Sequence, residues 1–230
     1  MGPRRRTRPA VALLAAALAL GLAAAVALAG VTVYKNNFSS KAEAKELRHS
    51  SGKHCAKRWR QKAKSVRVQR NRGSGACGYR PPVEGDTAGP DHDFRAKEKL
   101  LKATPKGIRG SAYVAVAVRS GKGSGYQLRI FPKRHKFELR RTPSGGGSGF
   151  PAKGRNRAIK GVGKPNAVRL KADGNKVTAR VNGTQLAKVT DSNAGQVDGR
   201  KLEVAVGNKR RSHKQVVATF DNLKLLVPNP

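Results

Sequence analysis

The residues of this chain with the most chemistry in them are suited to holding a ligand rather than cutting one. Tyr113, Arg119, Gln127, Arg129, Glu138 and Arg140 fall at alternating positions of the short runs SAYVAVAVR, YQLRI and FELR. In an extended chain alternate side chains share a face. Val114, Val116 and Val118 therefore point to one side, and Tyr113, Ala115, Ala117 and Arg119 to the other. Two alanines between a tyrosine and an arginine leave a shallow groove with an aromatic wall and a cationic end. Gln127 and Arg129, then Glu138 and Arg140, extend that groove if the following strands are its neighbours. Sugars are held by an aromatic platform and forked hydrogen-bond donors, which Tyr and Arg supply. Sugars bearing carboxylate or phosphate suit Arg better still, through bidentate pairing. The plain alternative is a solvated face on which Arg129 or Arg140 pairs with Glu138, worth only about 0.2–1 kcal/mol.

Bond-breaking chemistry has less support. Glycoside hydrolysis normally uses two carboxyl groups about 5–9.5 Å apart. The run Lys201–Val206 carries one outward carboxylate, Glu203, with no partner two residues away. Asp91-His92-Asp93 is the densest acidic spot, and is expected to be a solvated loop before a strand or a weak cation site. There is no defensible Ser/His/Asp order, no P-loop and no dinucleotide fingerprint. The reading therefore leans against catalysis and includes no cofactor and no metal.

The elements that position the groove follow from period. Apolar residues recur at every second position in Ser65–Gln69, Phe94–Leu100, Ser111–Arg119, Tyr126–Ile130, Phe137–Arg140, Val168–Leu170, Val177–Val181, Leu202–Val206 and Val216–Val227. That alternation predicts half-buried antiparallel strands. Asp173-Gly174-Asn175 and Asn182-Gly183 supply hairpin turns, and the SGGGSG stretch from Ser144 to Gly149 is a loop tip. Lys41 to Arg48 is the one short helix expected outside the N-terminus. About eight to ten strands with regular turns argue for an all-β sandwich of two antiparallel sheets.

Two cysteines, Cys55 and Cys77, read as one disulfide in an exported chain. Free thiols, or a zinc site with His49 and His54, are the alternatives; the histidines lack the paired spacing that marks zinc. The lone Trp59 is expected to pack over the disulfide.

Arg4, Arg5, Arg6 and Arg8 precede an uncharged run from Ala10 to Val31. The expected organisation is a short basic cytoplasmic tail over 1–9, a transmembrane signal anchor over 10–33 and an extracytoplasmic domain over 34–230. A cleaved signal peptide is the alternative, because Ala27-Leu28-Ala29 resembles a cleavage site; the domain is then secreted. The net charge is +36, from 49 Lys and Arg against 13 Asp and Glu. Such a charge points to the membrane surface or to anionic polymers as partners. Nucleic acid is disfavoured by the exported location and by the lack of a groove-reading helix or a row of exposed aromatics.

The C-terminal half carries a resemblance. Asn166–Ala172 is followed by Asp173–Gly183 with its Val181-Asn182-Gly183 ending. Gly195-Gln196-Val197, Val204–Gly207 and Phe220-Asp221-Asn222-Leu223 come next in order. This succession resembles the concanavalin A-like lectin/glucanase superfamily, most of all its laminin G-like and 3-keto-disaccharide hydrolase-type branch. The resemblance implies a jelly-roll sandwich, and family members include glycan binders, glycosidases and domains with neither role. Family 16 glycoside hydrolases of this superfamily carry E-x-D-x-E or E-x-D-x-x-E on one strand, and this chain has neither. The expected function is a membrane-anchored binding module for carbohydrate or anionic cell-envelope polymer. A sugar-active hydrolase and a structural or sensory ectodomain with a protein partner are the alternatives.

Overall fold

The computed structural model describes residues 30–83, 91–121, 124–145, 147–197 and 199–227. The chain runs through β1 (Val31–Asn36), α1 (Lys41–Glu46), β2 (Arg48–Ser51), β3 (Cys55–Arg60), β4 (Ser65–Arg70) and β5 (Gly75–Arg80). Next come β6 (His92–Leu100), β7 (Ala112–Gly121), β8 (Ser124–Phe131), β9 (Lys136–Thr142) and β10 (Gly149–Arg155). The last five strands are β11 (Asn166–Asp173), β12 (Lys176–Val181), β13 (Thr184–Thr190), β14 (Lys201–Asn208) and β15 (Val216–Val227).

These strands form two antiparallel sheets, a jelly-roll sandwich. One sheet has the order β13-β12-β11-β6-β15-β4-β3, with β1 also on β15; the other has the order β10-β9-β8-β7-β14-β5-β2. Every run that alternates in sequence is a strand. The strands beyond the expected eight to ten are mostly short, polar or glycine-bearing. The core side chains of β3, for example, are Cys55, Lys57 and Trp59, which do not stand out as an apolar stripe.

The sandwich buries Val66 and Val68 of β4, Phe94 of β6, Val114, Val116 and Val118 of β7, and Leu128 and Ile130 of β8. From the other strands it buries Leu170, Val204, Val206, Phe220 and Leu225. One carboxylate faces this core. Glu98 of β6 is 1% exposed, neither of its oxygens has a hydrogen-bond partner, and burial pushes its pKa well above the usual carboxylate value.

Local chemistry sets the turns. Asn182 and Gly183, both at positive φ, join β12 to β13. The Asn182 side chain also accepts from the Ala167 amide at 2.9 Å and donates to the Ala158 carbonyl at 2.7 Å. The helix α1 stops two residues short of the expected Arg48, which begins β2. Ser40 caps its start by accepting from the Glu43 amide at 3.2 Å. Lys57 closes its end by donating to the carbonyls of Ala44, Lys45 and Leu47.

Cys55 and Cys77 form a disulfide that joins β3 of one sheet to β5 of the other. Trp59 does not cover it. The two residues share a face of β3, but Lys57 stands between them, and the Trp59 indole instead donates to the Phe38 carbonyl at 3.0 Å. The first described strand begins at Val31, which pairs with Val227. Residues 1–29, which hold the basic tail and most of the expected anchor, lie outside the described residues. Among the described residues no helix is long and apolar enough to cross a membrane.

Candidate functional site

The outward face of the seven-stranded sheet carries a strip of small residues buried beneath larger ones. On β14, Gly207 pairs with Tyr113 of β7 and Ala76 of β5, and Ala205 pairs with Ala115 and Gly78. Glu203 follows, opposite Ala117. The three strands make a strip about 10 Å across at the usual strand spacing.

Tyr113 lies across this strip. A Cβ on Gly207 would come within 2.4 Å of its Cζ, so only glycine lets the ring down onto the sheet. The Arg129 guanidinium sits 4.8 Å from the Tyr113 ring centroid, in cation–π range. Its Nε donates to Gln127 Oε1 at 2.6 Å, which fixes the plane of the fork. Arg140, beside Gln127 on β9, donates to Ser148 Oγ at 3.0 Å and keeps its buried Nε without an acceptor. Burial first, and the neighbouring Arg129 second, lower the Arg140 pKa. Burial raises the Tyr113 pKa, and the cations Arg129, Arg140 and Arg70 act against that rise.

Glu203 lies over Gly78, where a Cβ would stand 2.4 Å from its carboxyl carbon. It accepts from Ser50 Oγ at 2.7 Å and Ser51 Oγ at 3.4 Å. Burial raises its pKa despite the Ser50 bond and the charge of Arg80.

Tyr113, Gln127, Arg129, Arg140 and Glu203 together line a trough of about 620 Å³. Its far wall is built by loops: Ser51 to His54 between β2 and β3, Arg72 to Ser74 between β4 and β5, and Arg211 between β14 and β15. Arg70 and Arg72 carry no sequence signal, because they belong to a strand end and a turn. Arg211 belongs to the basic run Lys209–Lys214, visible in sequence as a loop-tip cluster without an address.

The expected groove is thus formed in part. Arg119 does not line it. A register shift between Val118 and Gly121 and a positive φ at Arg119 turn the side chain away from the trough, where it is 3% exposed. There it donates to Asp91 Oδ1 at 2.8 Å and the Gly174 carbonyl at 2.7 Å, and packs over Tyr126. Glu138 shares the outward face but stays out of the trough. It is held by Lys136 at 2.8 Å and by Lys209 at 3.0 Å, so it pairs with neither Arg129 nor Arg140. Burial would raise the Glu138 pKa, but the bonds from the two lysines hold it below the usual value.

The acidic spot before β6 disperses, because His92 and Asp93 belong to the strand itself. Asp91 takes Arg119, and Asp93 accepts from Arg169 through both oxygens at 2.7 Å and from Arg95. His92 turns into the core, where burial, then the charge of Arg119, lower its pKa to about 4. Among the described residues no three His, Cys, Asp or Glu side chains converge as a metal would require.

Among the described residues Glu203 is the acidic side chain lining the trough, and Glu138 stands three strand spacings from it, about 14 Å between backbones. Each is also held by its own partners, lysines for one and serines for the other.

No protein-family model and no curated protein matches the chain. Solved structures do. The carbohydrate-binding module CBM66 of Bacillus subtilis superposes with a TM-score of 0.58 at 14% identity, covering 79% of this chain and 95% of that one. A Bacillus subtilis protein of unknown function with a galectin-like fold gives 0.61 at 11% identity, covering 86% and 96%. A Bacillus licheniformis beta-glucanase gives 0.58 at 10% identity, covering 86% and 98%. With its two antiparallel sheets, the chain shares the jelly-roll fold of these structures.

Proposed function

We propose that this is a membrane-anchored, extracytoplasmic binding module for carbohydrate or anionic cell-envelope polymer. The observation that carries the reading is the trough: guanidinium, amide and carboxyl groups set around a buried tyrosine. Tyr113 is 2% exposed and forms the base on which Arg129 rests, so a sugar's hydroxyls can meet Arg129, Arg140, Gln127 and Glu203 above it. Glu203, with its raised pKa, can donate as well as accept when protonated. The similar structures, a carbohydrate-binding module and a beta-glucanase, support a sugar ligand. Among the described residues no second carboxylate stands opposite Glu203, so binding without cleavage is the better reading.

The anchor rests on the sequence. Ala10 to Gly30 is uncharged and, as a helix, about 31 Å long, which matches a bilayer core. The disulfide supports an oxidising compartment.

The test is a glycan panel containing neutral and anionic polymers, read by calorimetry, with membrane fractionation of the native protein. Wild-type chain binds at least one polymer, and Tyr113→Ala weakens binding by about tenfold, as loss of the ring that seats the Arg129 guanidinium implies. Absence of binding to every polymer at low salt refutes the binding module. A soluble mature chain lacking residues 1–29 refutes the anchor.

A further inference from the structure

We infer that the far wall of the trough is a built oxyanion subsite, so that the polymer recognised there carries phosphate or carboxylate groups. This deepens the carbohydrate reading, but its first test does not depend on any sugar.

Three loops meet at the subsite, and backbone bonds fix them to one another. Gly73 and Ser212 exchange amide–carbonyl bonds at 2.6 and 3.3 Å, and the Asn71 amide donates to the His54 carbonyl at 3.0 Å. The disulfide anchors Cys55 at the end of one loop to Cys77 just beyond another. Arg70, 6% exposed, braces the β4–β5 turn by donating to the Gly73 carbonyl at 2.6 Å and to the Ser74 carbonyl. Its buried Nε has no acceptor.

On this frame stand Lys53, Arg72 and Arg211, all exposed. Among the described residues none of the three has a carboxylate within ion-pair distance, although cations elsewhere do. Asp93 serves Arg95 and Arg169, Glu138 serves Lys136 and Lys209, Asp91 serves Arg119, and Asp191 serves Arg141. The one acidic residue lining the trough, Glu203, is held by serines rather than by a cation. Clustered like charges repel one another, and here they are held together by covalent and backbone bonds without internal compensation. A ligand oxyanion supplies the missing charge. The preponderance of arginine over lysine suits phosphate or carboxylate oxygens through forked, two-point bonds. The subsite shares one cavity with Gln127, Arg129 and Arg140, so one chain can set sugar hydroxyls against those side chains and place an anion on the loops.

The experiment uses the full chain in a non-ionic detergent. Tripolyphosphate is the sugar-free probe; a glycerol-phosphate polymer, a polyuronate, a neutral glucan and duplex DNA follow. The variant Arg72→Ser/Arg211→Ser is compared with Lys97→Ser/Arg180→Ser, which removes the same charge from the outer face of the other sheet. The expected result is tripolyphosphate binding that falls about tenfold or more in the loop variant, the worth of at least one charge-assisted bond. The outer-face variant should change it by less than about twofold, the effect of screened distant charge. Equal losses in the two variants, or no tripolyphosphate binding by wild type, overturn the subsite. Tighter binding of the phosphate polymer or of the polyuronate identifies the oxyanion source and supports the proposal; preference for duplex DNA over both overturns it. Tyr113→Ala that loses neutral glucan but keeps tripolyphosphate separates the two sites. Failure of every glucan to bind, with tripolyphosphate retained, refutes the sugar reading alone.

Discussion

Glu98 makes the stability of this fold depend on pH in a way that one substitution removes. The residue sits between Asn166 of β11 and Phe220 of β15, faces the core, and has no partner for either oxygen. Burial raises its folded-state pKa well above the unfolded value. The sign follows: the folded state retains a proton that the unfolded state releases once the pH passes the ordinary carboxylate range. Stability from this group is complete below the unfolded pKa and is lost as pH rises toward the folded one. One such proton changes stability by about 1.4 kcal/mol per pH unit. Glu98→Gln cannot ionise, so its stability relative to wild type should improve by up to about 2.7 kcal/mol between pH 5 and pH 7. Urea denaturation of both chains across that range, with the disulfide intact, measures the difference. The amide is also buried without partners, so the absolute values carry a common penalty; the slope is the diagnostic. A difference that stays constant from pH 5 to pH 7 refutes the assignment of Glu98 as a buried neutral acid.

Other consequences are open to direct measurement. Cys77→Ser opens a cross-link spanning 22 residues, so denaturation should show a loss of about 3 kcal/mol by the loop-entropy relation; a loss below about 1 kcal/mol contradicts that account. Gly207→Val lifts the Tyr113 ring off the sheet, displaces the Arg129 seated on it and should weaken glycan binding about as much as Tyr113→Ala does; unchanged affinity in calorimetry contradicts that role of the ring. Asp93→Asn leaves Arg95 and Arg169 without their carboxylate, and should cost about 1–3 kcal/mol at pH 7. The two arginines, against the opposing pull of burial, hold the Asp93 pKa below its usual value, so that stability is present above the unfolded pKa and disappears as pH falls through the folded one. The cost of Asp93→Asn should therefore vanish in strong acid, and a pH-independent cost in denaturation curves contradicts the ion pair.

Sequence alone determined the elements whose causes are local. Strict alternation along Val177–Val181 reports a half-buried strand because side-chain period is a property of the strand itself. Asn182-Gly183 reports its hairpin because the turn needs positive φ at both residues. The cysteine pair was legible because no other cysteine exists. Tyr113, Gln127, Arg129 and Arg140 were placed on one face by the same counting, and they do line one trough. Tertiary structure decided what depends on neighbours far along the chain. Arg119 follows the same alternation as Tyr113, yet a local register shift and the distant acceptors Asp91 and Gly174 turn it inward. Glu138 looked free to meet arginine until the loop after β14 brought Lys209 to it. Arg70, Arg72 and Arg211 gained their meaning only when the disulfide and the Gly73–Ser212 pair drew three loops to one wall. Period reports which way a side chain points within its own strand; which charges it meets there is settled by strand order and loop convergence, and neither is a property of any local stretch of sequence.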